Sequence, residues 1–463
     1  MTPRIRLIVN ILAWLVFLLV APFLISYSMG HRFTPISPNS VSVGTFLIRT
    51  IPNSATITIN DKKLSNKTPT SIQNLLPGNY NIKLEKDGYR SWVKNLPIIG
   101  TMITDARDVR LVPFNIEEDV MRSNVVNFNI SPKRQLLGIF EQIKNGYQLR
   151  IVPINKYSDT GTIVKLSINK KESANILWSP NEDFIALTLT TGKSSRHYLI
   201  EISTGTATPL TDDESKLVGW IATLTEEKLI ILKNKKAIIT SLKSSGTETI
   251  SQDAEAISFT ANGFAILENN AEKYTIRTYS SSGNEQDQIE TPTLSKNSIS
   301  NLIYSPTGDI AILVQPTQSL IVWDNSERVW HNVTTHAESV SWSPEGDKIA
   351  WQESEFDLWV MNLHEKRSPL NHFSPELIAR LSSAIRKPTW YAGSHQILFF
   401  EKDILKMADI DQRNGHIIYN LISTNRGDGT AEVIQNGDEI IATVARENKL
   451  VLSRFFMLEK ADR

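Results

Sequence analysis

Beyond residue 44 the apolar positions come in short runs, many of them alternating with polar residues and broken by turn-forming ones. Residues 340–352 show the pattern best: V-S-W-S-P-E-G-D-K-I-A-W-Q. Pro344 presets φ for the first central position of a turn, and Gly346 tolerates φ > 0 just after it. The flanking Val, Ile and Trp suit strands, so the stretch predicts a hairpin. It has relatives. Ser131-Pro132 precedes 136–140, Trp178-Ser179-Pro180 precedes 184–187, and Gly219-Trp220 precedes 229–232. Ser258-Phe259 precedes 263–267, and Ser305-Pro306 precedes 310–313. Thr389-Trp390 precedes 397–400, and Val433-Ile434 precedes 439–442.

Counting from positions 131, 179, 222, 260, 305, 343, 391 and 435, the repeat period is roughly 38–48 residues, the length of a four-stranded β-propeller blade. Eight blades fit the count. Seven is the alternative if the third or fourth unit is not a full blade. The eighth unit runs short of chain, so residues 114–119, from Phe114 to Asp119, are expected to supply its missing strand and clasp the ring. Ser374-Pro375-Glu376, followed by Leu377, Ile378, Leu381 and Ile385, predicts a short inserted helix over 373–385. The units resemble the TolB-like or WD40-like repeat, with its Ser-Pro-Asp-Gly-type turn and following Ile-Ala-Phe-type strand. The match is good at Ser343 to Asp347, Ser305 to Asp309 and Ser179 to Asp183. It is weak in the third, fourth, seventh and eighth units. Trp323-Asp324 imitates the WD dipeptide without the accompanying Gly-His, which favours the TolB-like variety.

Residues 44–113 follow a different plan. Ile57 and Ile59 alternate with threonines, and Tyr80, Ile82 and Leu84 alternate with Asn81 and Lys83. Turns are expected at Asn60-Asp61, Pro77-Gly78-Asn79 and Asp87-Gly88. About six short strands in a small sandwich accommodate this pattern. The segment resembles a PEGA domain, a β module common in bacterial and archaeal cell-surface proteins. The resemblance rests on the opening Gly44 strand, Thr68-Pro69, Leu76-Pro77-Gly78-x-Tyr80 and Gly88-Tyr89 with Trp92. The name-giving tetrapeptide stands here as Pro52-Asn53-Ser54-Ala55. The resemblance implies a structural or binding module and supplies no catalytic residues.

From Leu7 to Tyr27 the chain reads LIVNILAWLVFLLVAPFLISY, without a charge. At a rise of about 1.5 Å per residue this is long enough to cross a hydrocarbon core. Arg4 and Arg6 place the N-terminus in the cytoplasm by the positive-inside rule. A cleaved signal peptide is the rival reading, but the apolar core is long and no small-x-small site follows it. The expected organisation is therefore a cytoplasmic N-terminus and transmembrane signal anchor at 1–28, a linker at 29–43, a PEGA-like domain at 44–113 and a β-propeller at 114–463. The chain is then single-pass in the cell membrane, with its bulk outside the cytoplasm.

Among the 463 residues, Lys plus Arg equals Asp plus Glu at 49 each, which argues against a nucleic-acid-coating role. The basic run at Lys233, Lys235 and Lys236 reads as a solvated turn. There is no cysteine, which excludes disulfides, thiolate metal sites and a cysteine nucleophile. Neither Gly-x-Ser-x-Gly nor His-Glu-x-x-His occurs. His331 and His336 are read as a polar strand and loop rather than a metal pair. Asp409, Asp411 and Asn414-Gly415 faintly resemble a calcium loop, but Arg413 takes a ligand position and a hairpin turn fits better. Arg426-Gly427-Asp428 reads as an inter-strand turn. No catalytic, cofactor-binding or metal-binding residue is assigned, and no cofactor is expected.

Three roles remain. The first is a non-enzymatic, membrane-anchored binding or scaffold protein, engaging an envelope protein, glycan or cell-wall partner through its propeller. The second is a propeller hydrolase or lyase with a channel site invisible to a linear reading, which a carboxylate cluster of perturbed pKa would favour. The third is a purely structural envelope component.

Overall fold

The computed structural model describes the backbone of residues 3–463, apart from 29–30, 35–36, 145, 158–160, 167–172, 193, 211–215, 223–225, 243–245, 261, 271–272, 293, 295–298, 316, 367, 426–428 and 448, and the side chains of those residues at 9–25 and from 42 onward except 222, 270, 299 and 300. The chain divides into two compact units. One comprises residues 1–115, 411–416 and 458–463, the other 116–410 and 417–457.

The first unit opens with α1 (Pro3–Ser28), which contains Pro22. Its described side chains, at 9–25, are apolar except for Asn10 and largely exposed, with Trp14 at 66% and Leu19 at 69%. No helix among the described residues is long and apolar enough to cross a membrane. The transmembrane anchor expected from Leu7 to Tyr27 is therefore not shown. The expected linker carries structure of its own: β1 (His31–Thr34) and β2 (Ser37–Ser42) pair as an antiparallel hairpin.

Seven further strands form two sheets: β3 (Gly44–Ile51), β4 (Thr56–Ile59), β5 (Lys62–Lys67), β6 (Thr70–Leu75), β7 (Gly78–Glu85), β8 (Trp92–Ile98) and β9 (Ile103–Arg110). The orders are β6-β3-β9 and β5-β4-β7-β8, and β3 and β9 run parallel. Phe46, Ile48, Ile57, Ile82, Leu84, Trp92 and Leu96 are buried between them. The strand β8 alternates strictly, and Lys94 is among its buried residues. Its ammonium donates to the carbonyls of Asp411 and Gly415, the latter at 2.8 Å. Asn414 (φ 60°) and Gly415 (φ 98°) make the hairpin turn expected there.

The second unit contains eight four-stranded antiparallel sheets among the described residues. Seven are simple meanders spanning 125–166, 173–210, 216–251, 254–290, 299–334, 337–380 and 385–423. The eighth takes three strands from 431–456, and its fourth is β10 (Glu117–Ser123), paired antiparallel with the last strand, Lys449–Phe456. Turn chemistry explains the repeat. The hydroxyls of Ser131, Ser179, Ser305 and Ser343 each accept the N–H of the residue that starts or adjoins the second strand, at 2.9–3.0 Å. The left-handed position is filled by Gly308 and Gly346, and by Arg134 and Glu182 in the less regular turns.

Hydrogen bonds or ion pairs link each sheet to the next around a complete circuit. Indole N–H groups serve three joints: Trp220 to Leu177 O, Trp342 to Ile303 O and Trp390 to Ser341 O, at 3.1–3.2 Å. Asn127, Lys235, Asn262 and Lys387 serve four more. Arg134 Nη1 donates to Val433 O at 2.5 Å and joins the first sheet to the eighth.

The helix expected over 373–385 is not formed. Pro375–Arg380 is the outer strand of the sixth sheet. Its register slips so that Leu358 faces Ala379 and Trp359 faces Leu377, leaving Ile378 as a bulge. The extra residue breaks the strand alternation, buries Ile378 and Ala379 together, and so imitates a helical spacing.

Close packing between sheets makes one glycine critical. A Cβ on Gly219 would lie 2.4–2.6 Å from the Phe259 ring. Gly219→Ala is expected to destabilise the protein by about 1–3 kcal/mol in urea denaturation, with part of the loss recovered by Phe259→Leu.

Candidate functional site

In an antiparallel meander the turns joining strands one to two and three to four fall at the same end. In the fifth sheet these turns carry Asp309 and Asp324, each 1% exposed. Asp309 closes the Ser-Pro-Thr-Gly-Asp turn. Its Oδ1 accepts the Asn325 N–H at 2.9 Å, and its Oδ2 accepts the Thr307 hydroxyl at 2.5 Å. His364 Nε2, from just beyond the third strand of the sixth sheet, lies 3.0 Å from the same Oδ2.

Asp324 Oδ1 is saturated by the Ser326 N–H and hydroxyl, both at 2.7 Å, and by the Glu327 N–H at 3.1 Å. Its Oδ2 is buried without a hydrogen-bond partner. Such a group costs about 1–3 kcal/mol if nothing compensates it. Burial alone would raise the Asp324 carboxyl, but the bonds from Ser326 and Glu327 and the nearby His364 hold it below the usual carboxylate range.

One ligating atom each from Asp309, Asp324 and His364 lie within 4.8 Å of one another. A second grouping of the same tightness joins Asp324 to Glu327 and His331, and His331 Nε2 is also buried without a partner. Phe373 supports both histidines. Its ring stacks on His331 at 4.3 Å and meets His364 and His372 edge-on at 6.5 and 4.7 Å.

The segment that positions His364 is held on both sides. The N–H groups of Leu363 and His364 donate to Asp347 O at 2.9 and 3.2 Å. Glu365 pairs at 2.6 Å with the fully buried ammonium of Lys348, which also meets Asp347 at 2.8 Å. Three consecutive residues thus reach the core, the neighbouring sheet and a buried cation.

His331 and His336 are placed differently: His331 faces Asp324, whereas His336 bonds Thr335 at 3.0 Å. Asp411 pairs with Arg413 at 2.7 Å, so the calcium-like stretch is an ion-paired turn. Asn234 and Lys235, both at positive φ, form the tight turn expected in the basic run. Arg426, Gly427 and Asp428 lie outside the described residues. Two carboxyls are raised chiefly by burial, Glu345, with Asp347 adding to the shift, and Glu432; they sit on the sixth and eighth sheets.

The sequence reading assigned none of this cluster. Asp324 stood only as half of an imitated WD dipeptide. His364 and Asp309 are 55 residues apart, and a linear motif search does not join them.

Residues 43–104 match the PEGA domain model. No curated protein sequence matches the chain. Among solved structures, the Dos1 propeller is 11% identical with a TM-score of 0.51, covering 75% of this chain and 96% of its own. Dihydro-heme d1 dehydrogenase NirN in complex with DHE is 9% identical with a TM-score of 0.50, covering 70% of this chain and 72% of its own. These likenesses show a β-propeller fold. The protein thus carries a PEGA match over 43–104 together with a β-propeller fold.

Proposed function

We propose that this is an extracytoplasmic binding or scaffold protein held at the cell membrane, with an envelope protein, glycan or cell-wall component as its partner. The supporting observation is the PEGA match at 43–104 in a chain whose larger unit has a propeller fold. The eight sheets are read here as eight blades, closed by β10.

Two features of the first unit favour the membrane-proximal placement. Helix α1 exposes an apolar surface over 9–25, Asn10 apart, which calls for an apolar environment. The turn between β8 and β9 exposes Ile99, Met102 and Ile103, each above 50%. Thr101 N–H donates to Val43 O at 2.9 Å, so this turn is tied to the point where the chain enters the sandwich.

The test is made in intact cells. The protein is expected in the membrane fraction, and external protease is expected to digest residues beyond 44. Crosslinking before extraction is expected to trap an envelope component. Protection of 44–463 from external protease would refute the topology. Recovery without any envelope crosslink would refute the binding role.

A further inference from the structure

We propose that Asp309, Asp324 and His364 bind a divalent transition-metal cation between the fifth and sixth sheets. Hydrogen bonding alone accounts for Asp309 and His364, which face each other at 3.0 Å. It does not account for Asp324. Its Oδ2 can only accept, is buried, and has no partner, while a second carboxylate oxygen lies within 4.8 Å. Two carboxylates so close in a buried setting repel each other unless positive charge sits between them. A cation meets both requirements at once.

The surrounding bonds orient the donors as an outer shell does in metal sites. The Asn325 N–H holds Asp309 Oδ1, and the Ser326 and Glu327 groups hold Asp324 Oδ1. Asp324 therefore keeps Oδ2 for the site, while Asp309 Oδ2 faces His364 and also accepts the Thr307 hydroxyl. Phe373 braces the His364 ring. Glu327 and His331, whose Nε2 is unpartnered, cluster with Asp324 and offer further donors.

The donor set selects the metal class. Two carboxylate oxygens and an imidazole nitrogen suit zinc, manganese or iron(II), whereas calcium prefers six to eight oxygens. Zinc bonds of about 2.0–2.2 Å place tetrahedral ligand atoms roughly 3.3–3.6 Å apart. The 3.0 Å and 4.8 Å limits seen here bracket that spacing. A bound ion would tie the fifth sheet to the segment that follows the third strand of the sixth.

The test uses the full chain, stripped with a chelator and titrated with Zn²⁺ by calorimetry. One equivalent is expected to bind, with affinity at least ten-fold weaker in Asp324→Asn and His364→Gln and unchanged in His336→Gln. Asparagine retains an oxygen for the Ser326 and Glu327 bonds, and circular dichroism checks each fold. X-ray absorption of the zinc-loaded unaltered chain gives a readout that needs no variant, and a nitrogen and oxygen shell with imidazole scattering is expected. Absence of saturable binding, wild-type affinity in Asp324→Asn, or a shell without imidazole would overturn the proposal.

Discussion

Lys348→Met is expected to destabilise the protein by about 3–5 kcal/mol, the usual consequence of breaking a buried ion pair from one side. The Lys348 side chain is fully buried, with Asp347 and Glu365 at 2.8 and 2.6 Å. Methionine fills the volume of the stem but removes the charge. Two partly buried carboxylates would then face each other without a counter-charge, and the uncompensated charge dominates the lost packing. If that reasoning holds, Asp347→Asn and Glu365→Gln, added to Lys348→Met, should recover more than half of the loss. The amide introduced by Asp347→Asn keeps an acceptor for the Ser343 hydroxyl, which donates to Asp347 Oδ1 at 2.8 Å. Urea denaturation of the single and triple variants makes the comparison. Equal stability of the two would show that packing, not charge, is what Lys348 supplies.

That ion-paired cluster illustrates what the sequence made legible and what it did not. Ser343, Pro344, Gly346 and Asp347 announced a turn because local backbone geometry demands those residue types within five positions. The same local rule carried the other regular repeats, the glycine-free turn at Glu182 included, and it weakened in the third, fourth, seventh and eighth units, which lack the Ser-Pro turn. The partners of Lys348 and Asp309 follow a different logic. Glu365 and His364 are set by strand lengths and sheet adjacency, which no local pattern encodes. A bulge had a similar effect at Ile378, where one extra residue converted a strand into an apparent helix. The PEGA-like segment was readable because its turns are glycine- and proline-marked. Its inward-facing Lys94 was not readable, because its carbonyl partners at Asp411 and Gly415 come from more than 300 positions away.

Met121→Asp is expected to cost about 4 kcal/mol or more, since it combines a large-to-small loss with burial of a charge. Its neighbour Val120→Asp is expected to cost under about 0.5 kcal/mol, as exposed substitutions usually do. Both lie on β10, where Met121 is 7% exposed and Val120 54%. Met121 packs with Phe128, Ile139, Ile434, Ile441 and Leu452, so it touches residues of the first and eighth sheets together. The strand is tied on both sides: Glu118 pairs with Arg446, Asp119 accepts the Tyr157 hydroxyl, and Arg122 donates to Tyr157 O at 3.1 Å. Detaching β10 would leave the edge of Lys449–Phe456 unpaired, and an open edge invites pairing with another chain. Met121→Asp should therefore also raise the fraction of oligomer in size-exclusion chromatography, whereas Val120→Asp should stay as the parent. Similar losses in both variants would mean that β10 is not held by its inward face, and that closure of the circuit rests on the backbone ladder alone.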